Sequence, residues 1–273
     1  MRPLVLKLGG ELLEDPRHLA NVVSGVTAIR RDASRLVIVH GGGREIDAAL
    51  KTAGIEKKQV DGLRVTDQAT LDVAVAVLAG AINTRLVAAL SVAGVRAVGL
   101  TGADANIGLA DVAPPHTAVD GRTIDLGRVG VPAPDGDTRL LDTLIGGGFV
   151  PVIACIGLAR DGRLLNVNAD TLAGHLAARL RARRLVIAGG TPGVLDRSGA
   201  TLATLDAGAI ADLVSDGTAS AGMIAKLRAC EQAIDGGVDD VVIVDGRDAD
   251  ALTAAAVCGS SPQATQIRVT SRV

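Results

Sequence analysis

The chain has 273 residues, 48% of them hydrophobic, and its 28 Lys and Arg against 30 Asp and Glu leave a net charge near −2. That length accommodates one large α/β domain or two smaller lobes, and the charge balance lacks the clustered basic excess of a nucleic-acid surface. There is no Trp or Tyr, and Phe149 is the single Phe, so base stacking and aromatic cages for cations have almost nothing to work with.

In chain order, short β-branched runs bounded by Gly or Pro predict buried strands at Leu4–Leu8, Arg35–Val39, Val95–Leu100, Phe149–Cys155, Arg184–Ala188 and Val241–Val244. Between them helical spacing predicts helices at Arg17–Arg30, Glu45–Ala53, Leu71–Leu90, Leu140–Ile145, Ala169–Arg181, Met223–Ile234 and Ala249–Cys258. Alternation of this kind implies a largely parallel sheet covered by helices on both faces. Residues 103–137 hold four of the nine prolines and two Asp-Gly pairs, which predicts hairpins and loops laid over a sheet edge. The long helix after Thr66 carries two apolar stripes: Leu71, Val75, Leu78, Ile82 and Leu86, then Val73, Val77 and Val87. A pattern this wide means burial on more than one side, either in the core or against a second copy.

The start, MRPLVLKLGG, has too short an apolar run for a signal peptide. No run of about 18 uninterrupted apolar residues predicts a membrane span. Cys155, Cys230 and Cys258 are far apart and odd in number, as reduced thiols of a cytoplasmic protein would be. The four histidines form no metal-ligand spacing, so no protein-held metal is expected.

Glycine-rich turns follow the first two strands, at Lys7-Leu8-Gly9-Gly10 and His40-Gly41-Gly42-Gly43. Bare backbone N–H groups at strand ends form anion-binding concavities that glycine lets a phosphate approach. The Walker pattern G-x-x-x-x-G-K-[ST] is missing, as is G-x-G-x-x-G after a strand. His40-Gly41-Gly42-Gly43 also matches the oxyanion turn of esterases, but no G-x-S-x-G elbow supplies their serine. Further on, Arg64 stands just before the long helix, where its planar fork can clamp a carboxylate. Asn166-Val167-Asn168-Ala169-Asp170 opens one helix, and Lys226 lies in the first turn of another. Taken singly, the asparagines read as a turn and helix cap, and the lysine as a surface charge.

Together, KLGG, HGGG, GLRVTD, LAGAINTRLV, DLGRVG, PVIACIG, NVNAD, PGVL and GMIAK occur in one order. This series resembles the amino acid kinase family, from Lys7 to about Lys226, and within it the branch that acts on N-acetyl-L-glutamate. GLRVTD with NVNAD is the branch-specific pair. The resemblance implies a three-layer αβα sandwich with a mainly parallel open sheet. Residues 1–180 would form a lobe for the amino-acid substrate and dimerisation, and residues 181–273 a lobe for ATP. It implies ATP-dependent phosphorylation of the γ-carboxylate of N-acetyl-L-glutamate in arginine biosynthesis, with Mg²⁺ carried on the ATP phosphates. Lys7 and Lys226 would approach the moving phosphoryl group and Asp170 would organise them. Gly42, Gly43, Arg64, Asn166 and Asn168 would hold the substrate, and Gly9, Gly10, Gly190, Thr191, Gly193, Gly222 and Met223 the nucleotide. Three features depart from the family pattern: HGGG is followed by Arg44-Glu45, the run Ala188-Gly189-Gly190-Thr191-Pro192-Gly193 lacks the Thr-Asp usual before Pro-Gly, and Ala225 replaces a usual proline.

The alternatives are a sister kinase of carrier-bound aminoadipate or glutamate, and a non-catalytic kinase-like domain that binds arginine. Retention of Lys7, Asp170 and Lys226 argues against the second. A homodimer that free arginine does not inhibit is expected, because the first strand opens at Leu4 and leaves no residues for the extra helix of arginine-inhibited relatives.

Overall fold

The computed structural model describes residues 2–32, 35–118, 121–219, 221–258, 261 and 263–268. The strands Leu4–Leu8, Leu36–His40, Val150–Ala154 and Arg184–Gly189 are almost unbroken runs of buried residues, as strands covered on both faces must be. They form the middle of an eight-stranded sheet. From one edge to the other the order is Thr204–Leu205, Ala264–Arg268, Asp240–Asp245, Arg184–Gly189, Leu4–Leu8, Leu36–His40, Val150–Ala154 and Ala97–Thr101. Leu4–Leu8 pairs parallel to both neighbours, and only the pairing of Asp240–Asp245 with Ala264–Arg268 is antiparallel. All strands from before residue 180 lie on one side of the boundary between Leu4–Leu8 and Arg184–Gly189, and all from after it on the other.

Two helical layers complete the α/β sandwich. One combines Pro16–Asp32, Asn83–Val92 and Ala249–Val257, and the other Arg139–Gly146, Ala169–Arg179 and Ala221–Asp235. Their starts follow ordinary capping chemistry: the Asp15 carboxylate accepts from the Arg17 and His18 N–H groups, and Asp67 from that of Thr70.

The predicted strands and helices are present with ends that agree to within three residues. The short strands Thr204–Leu205 and Ala264–Arg268 and the helix Ala207–Ser215 are too weakly patterned to stand out. Residues 103–137 do more than form loops. Ala110–Val112 and Val129–Pro132 join Ile156–Leu158 and Leu164–Val167 in a second, four-stranded sheet. The hairpin His116–Thr117 with Thr123–Ile124 sits apart from it.

The long helix runs from Gln68 to Val92 and contains a π-helical stretch, Ala76–Ile82. Leu71, Leu78, Ile82 and Leu86 are buried, and Val73, Val77 and Val87 are half-buried, so the two stripes face different surroundings. By length and composition this helix could cross a membrane, but a third of its apolar stretch is buried inside the chain and it carries Asp72 and Arg85.

One buried ion pair fastens the sheet to a helix end. Arg184 donates from Nε and Nη2 to the two Asp240 oxygens at 2.6 and 2.9 Å, and its Nη1 reaches the carbonyls of Ala255 and Ala256 at 3.2 and 3.1 Å. Truncation strands the Asp240 charge and uncaps the helix, at a cost of about 3–5 kcal/mol. Arg184→Ala is therefore expected to lower the urea midpoint sharply with an unchanged slope. A midpoint within error of wild type would mean that the pair contributes nothing net.

Candidate active site

Lys7 is the one polar residue in the strand Leu4–Leu8, and its side chain is carried into the C-terminal edge of the sheet, 7% exposed. Its Nζ lies 2.9 Å from Asp170 Oδ1. Lys226 Nζ lies 3.4 Å from the same oxygen and 3.4 Å from Oδ2. Asp170 sits in the first turn of Ala169–Arg179, and the Asn168 side chain caps that helix by accepting from the Asp170 and Thr171 N–H groups at 2.9 and 3.1 Å. Burial opposes charge on Lys7, yet the Asp170 carboxylate outweighs it and holds the ammonium above its ordinary range. Burial likewise opposes charge on Asp170, and the two lysines hold its carboxyl below the usual range. On Lys226, burial and the Lys7 charge win over Asp170, so its pKa falls below that of a free lysine. The triad thus contains one cation more than its carboxylate can satisfy.

The two glycine turns meet backbone to backbone. A Cβ on Gly10 would stand 2.6 Å from the Gly42 Cα, and a Cβ on Gly42 would strike the side chains of Ile82 and Leu78. Glycine is required there for the close approach. The turn after Leu36–His40 is held from behind by a fully buried histidine. His40 Nδ1 is 3.2 Å from the Gly41 carbonyl, so it donates, which leaves Nε2 to accept from Asn83 Nδ2 at 3.0 Å. The second Asn83 amide hydrogen goes to the Val152 carbonyl at 2.9 Å.

A cavity of about 280 Å³ opens over these groups. Of the residues singled out from sequence, Lys7, Gly9, Gly10, Gly42, Gly43, Arg64, Asn166, Asn168 and Asp170 line it. Lys226 joins through Asp170. Gly190 touches the same region through Glu11, whose Oε1 accepts from the Gly190 N–H at 3.1 Å. Thr191, Gly193, Gly222 and Met223 are not among the lining residues. Gly193 is in the left-handed region, at φ +84°, with Thr265 packed against it, which is a turn requirement.

Arg64 has a hydrogen bond still to make. Its Nη2 donates to Asp47 Oδ1 at 2.5 Å and to the Gly43 carbonyl at 3.2 Å. Its Nη1 is buried without a partner, a costly state for a charged donor unless a ligand completes it. Asn166 Nδ2 donates to Thr66 Oγ1 at 3.2 Å. Asp47 and Glu11 carry no sequence signal that marks them for this site; His40, Asn83 and Cys155 fall within the HGGG, LAGAINTRLV and PVIACIG motifs, which do not reveal these contacts. Cys155 lines the cavity beside Lys7, and burial pushes its thiol up to about 12, so it is unreactive at neutral pH. Among the described residues no group of three or more His, Cys, Asp or Glu gathers as a metal cage.

A parallel sheet that ends in two touching glycine turns, with two lysines on one buried aspartate, describes an enzyme that handles a phosphoryl group. The chain belongs to the amino acid kinase family, whose model matches residues 2–245. It is 42% identical over 251 residues to the acetylglutamate kinase of Erythrobacter litoralis, covering 90% of this chain and 83% of that one. It is 44% identical over 248 residues to the acetylglutamate kinase of Sphingopyxis alaskensis, covering 89% and 82%. Among solved structures it resembles N-acetylglutamate synthase from Neisseria gonorrhoeae in complex with coenzyme A and N-acetylglutamate, with TM-score 0.82 and 26% identity. The match covers 98% of this chain and 59% of that longer protein. Carbamate kinase from Giardia lamblia bound to AMP-PNP shares the fold, with TM-score 0.69 and 16% identity over 98% of this chain and 99% of that one. These relatives favour neither a kinase of carrier-bound substrates nor a non-catalytic domain.

Burial holds the His40 ring neutral, with its pKa lowered from 6.5 to about 4. The unfolded chain then binds the proton that the folded chain refuses. This part of the stability is complete above pH 6.5 and is lost as pH falls towards 4, about 3 kcal/mol in all. Chemical denaturation across that range is expected to show this slope in wild type and to lack it in His40→Asn. Parallel pH profiles for the two proteins would show that His40 is not held neutral.

Proposed function

We infer that the chain transfers the γ-phosphoryl group of ATP to the γ-carboxylate of N-acetyl-L-glutamate, giving N-acetyl-L-glutamyl 5-phosphate and ADP. The observation that carries this reading is the Lys7–Asp170–Lys226 triad beside a cavity that also contains the unpaired Nη1 of Arg64. The substrate class comes from the curated relatives at 40–44% identity. In this reading residues 1–180 seat the amino-acid substrate and residues 181–273 seat ATP, in the cytoplasm.

The chemistry asks for positioning and positive charge. A carboxylate oxygen of the substrate attacks the γ-phosphorus as the bond to the β–γ bridging oxygen breaks. No proton moves, because the nucleophile is already ionised at neutral pH. Arg64 and Asn166 hold the substrate's other carboxylate, and the Gly10 and Gly42–Gly43 backbone approaches the phosphoryl oxygens. Lys7 and Lys226 balance charge that spreads over those oxygens in the transition state. The surplus cation of the triad fits a polyphosphate ligand. Mg²⁺ rides on the ATP phosphates and neutralises part of their charge.

A hydroxamate-trapping assay with ATP, Mg²⁺ and N-acetyl-L-glutamate tests the reading. Lys7→Ala and Lys226→Ala are expected to lower kcat by about 10²–10³. Arg64→Lys loses the planar fork, and the KM for the amino-acid substrate is expected to rise while that for ATP stays. Near-normal kcat in both lysine variants, or an ATP KM that moves with Arg64, would remove these assignments.

Val87 of the long helix packs beside Gly99 of the edge strand Ala97–Thr101, Val73 and Val77 are half-buried on the same helix, and Val92 is 91% exposed. A second copy of the chain covers them, since an isologous two-fold contact is the commonest way to bury such a face. Light scattering is expected to give a dimer in wild type and a smaller mass in Val77→Asp. A monomer in wild type would leave the face without this partner.

A further inference from the structure

Glu11 follows the first glycine turn and lines the catalytic cavity, yet it has no part in the transfer chemistry. Its side chain folds back over Gly9 so closely that a Cβ there would collide with the carboxylate. Oε1 accepts from the Gly190 N–H at 3.1 Å, and a Cβ on Gly189 would stand 3.1 Å from the same oxygen. The strand pairing of Arg184–Gly189 with its neighbours ends at Gly189. The Gly190 N–H therefore lies just past the ladder, where it is taken by the Glu11 carboxylate instead of a neighbouring strand. The Glu11 charge also acts on Lys7 and on Lys226.

An anion held by a strand-end N–H among glycines and beside two ammonium groups is in the position that a phosphate oxygen would take. We propose that the Glu11 carboxylate is the resting occupant of the nucleotide-phosphate seat, between the two halves of the sheet, and that ATP binds by displacing it. The proposal rests on the kinase reading and adds to it a residue that sets nucleotide affinity. Charge supports it. In the resting seat Glu11 adds a carboxylate whose field reaches Lys7, Lys226 and Arg247. With Glu11 swung out, one net positive charge is exposed to the arriving polyphosphate. The Gly190 N–H then exchanges one oxygen acceptor for another and is never stranded.

A ligand that must displace an internal occupant binds more weakly by the fraction of time the seat is open, so a seat filled about nine-tenths of the time costs about tenfold in affinity. Calorimetric titration of the full chain measures this with ATP, inorganic pyrophosphate and adenosine. Glu11→Gln is expected to bind ATP and pyrophosphate about tenfold more tightly, with adenosine unchanged. Glu11→Asp, one methylene too short to reach Gly190, is expected to tighten both polyphosphates as well, and it serves alone if the Gln variant does not fold. Unchanged or weaker ATP binding in Glu11→Gln would overturn the proposal. So would tightening of adenosine by the same factor, which would signal a general rearrangement. Wild-type affinity in Glu11→Asp beside a tightened Glu11→Gln would show that charge alone opposes phosphate, and would overturn the seating. If wild type neither binds ATP nor phosphorylates N-acetyl-L-glutamate, the kinase reading fails. If it does both and the variants bind no tighter, this proposal alone fails.

Discussion

Asp170 is shared between two ammonium groups that come from opposite halves of the sheet, Lys7 at 2.9 Å and Lys226 at 3.4 Å. A carboxylate can be buried only with cations at hand, and burying two lysines together requires an anion between them. Each of the three charges is therefore a condition for the other two. The surrounding architecture serves this point. Lys7 is delivered by the innermost strand, Asp170 by a helix start that Asn168 caps, and Lys226 by the helix Ala221–Asp235 that packs on the Asp170 helix. The depressed pKa of Lys226 records the cation left over.

A comparable constraint governs the glycine turns. Their backbone can approach a ligand only because nothing but hydrogen projects from Gly10 and Gly42, and that freedom has to be taken away again by the surroundings. His40 and Asn83 do this from the rear, and Leu78 and Ile82 from the side. A neutral, buried imidazole suits this position because it donates at one nitrogen and accepts at the other. It ties the turn to a helix without adding a further charge beside the lysines. Arg64 is fixed in a similar way by Asp47, which also takes Lys57. The guanidinium is aimed before any substrate arrives, with one nitrogen kept unpaired.

Much of this was legible in the amino-acid order. The parallel core was written in runs such as Leu4–Leu8 and Leu36–His40, whose unbroken burial leaves no alternation to misread. The Lys7–Asp170–Lys226 cluster was legible only as a combination: each residue has an ordinary explanation when read alone, and the ordered motifs set the three apart. What escaped has a common physical character. Glu11, His40, Asn83 and Asp47 act through contacts across 17 to 179 positions of sequence, and no local periodicity encodes such partners. The second sheet escaped because Ala110–Val112 and Val129–Pro132 are short strands embedded in proline-rich segments. The π-helical stretch escaped because Ala76–Ile82 has the composition of any apolar helix.

That stretch joins two properties that would otherwise be unrelated. Leu78 and Ile82 press inward on Gly42, while Val73 and Val77 lie half-buried on the same helix, towards its outer side. Asn83, which anchors His40, follows directly where the π-helical turn returns to α. A π-turn is kept where a side chain has to be re-aimed against the regular spacing, and here it turns Ile82 and Asn83 together towards the glycine turn. A rigid-body shift of this helix would move the wall of the glycine turn and the anchor of His40 in one step. In the proposed dimer, a second copy packed against its outer side would restrain that shift and support the glycine turn from behind.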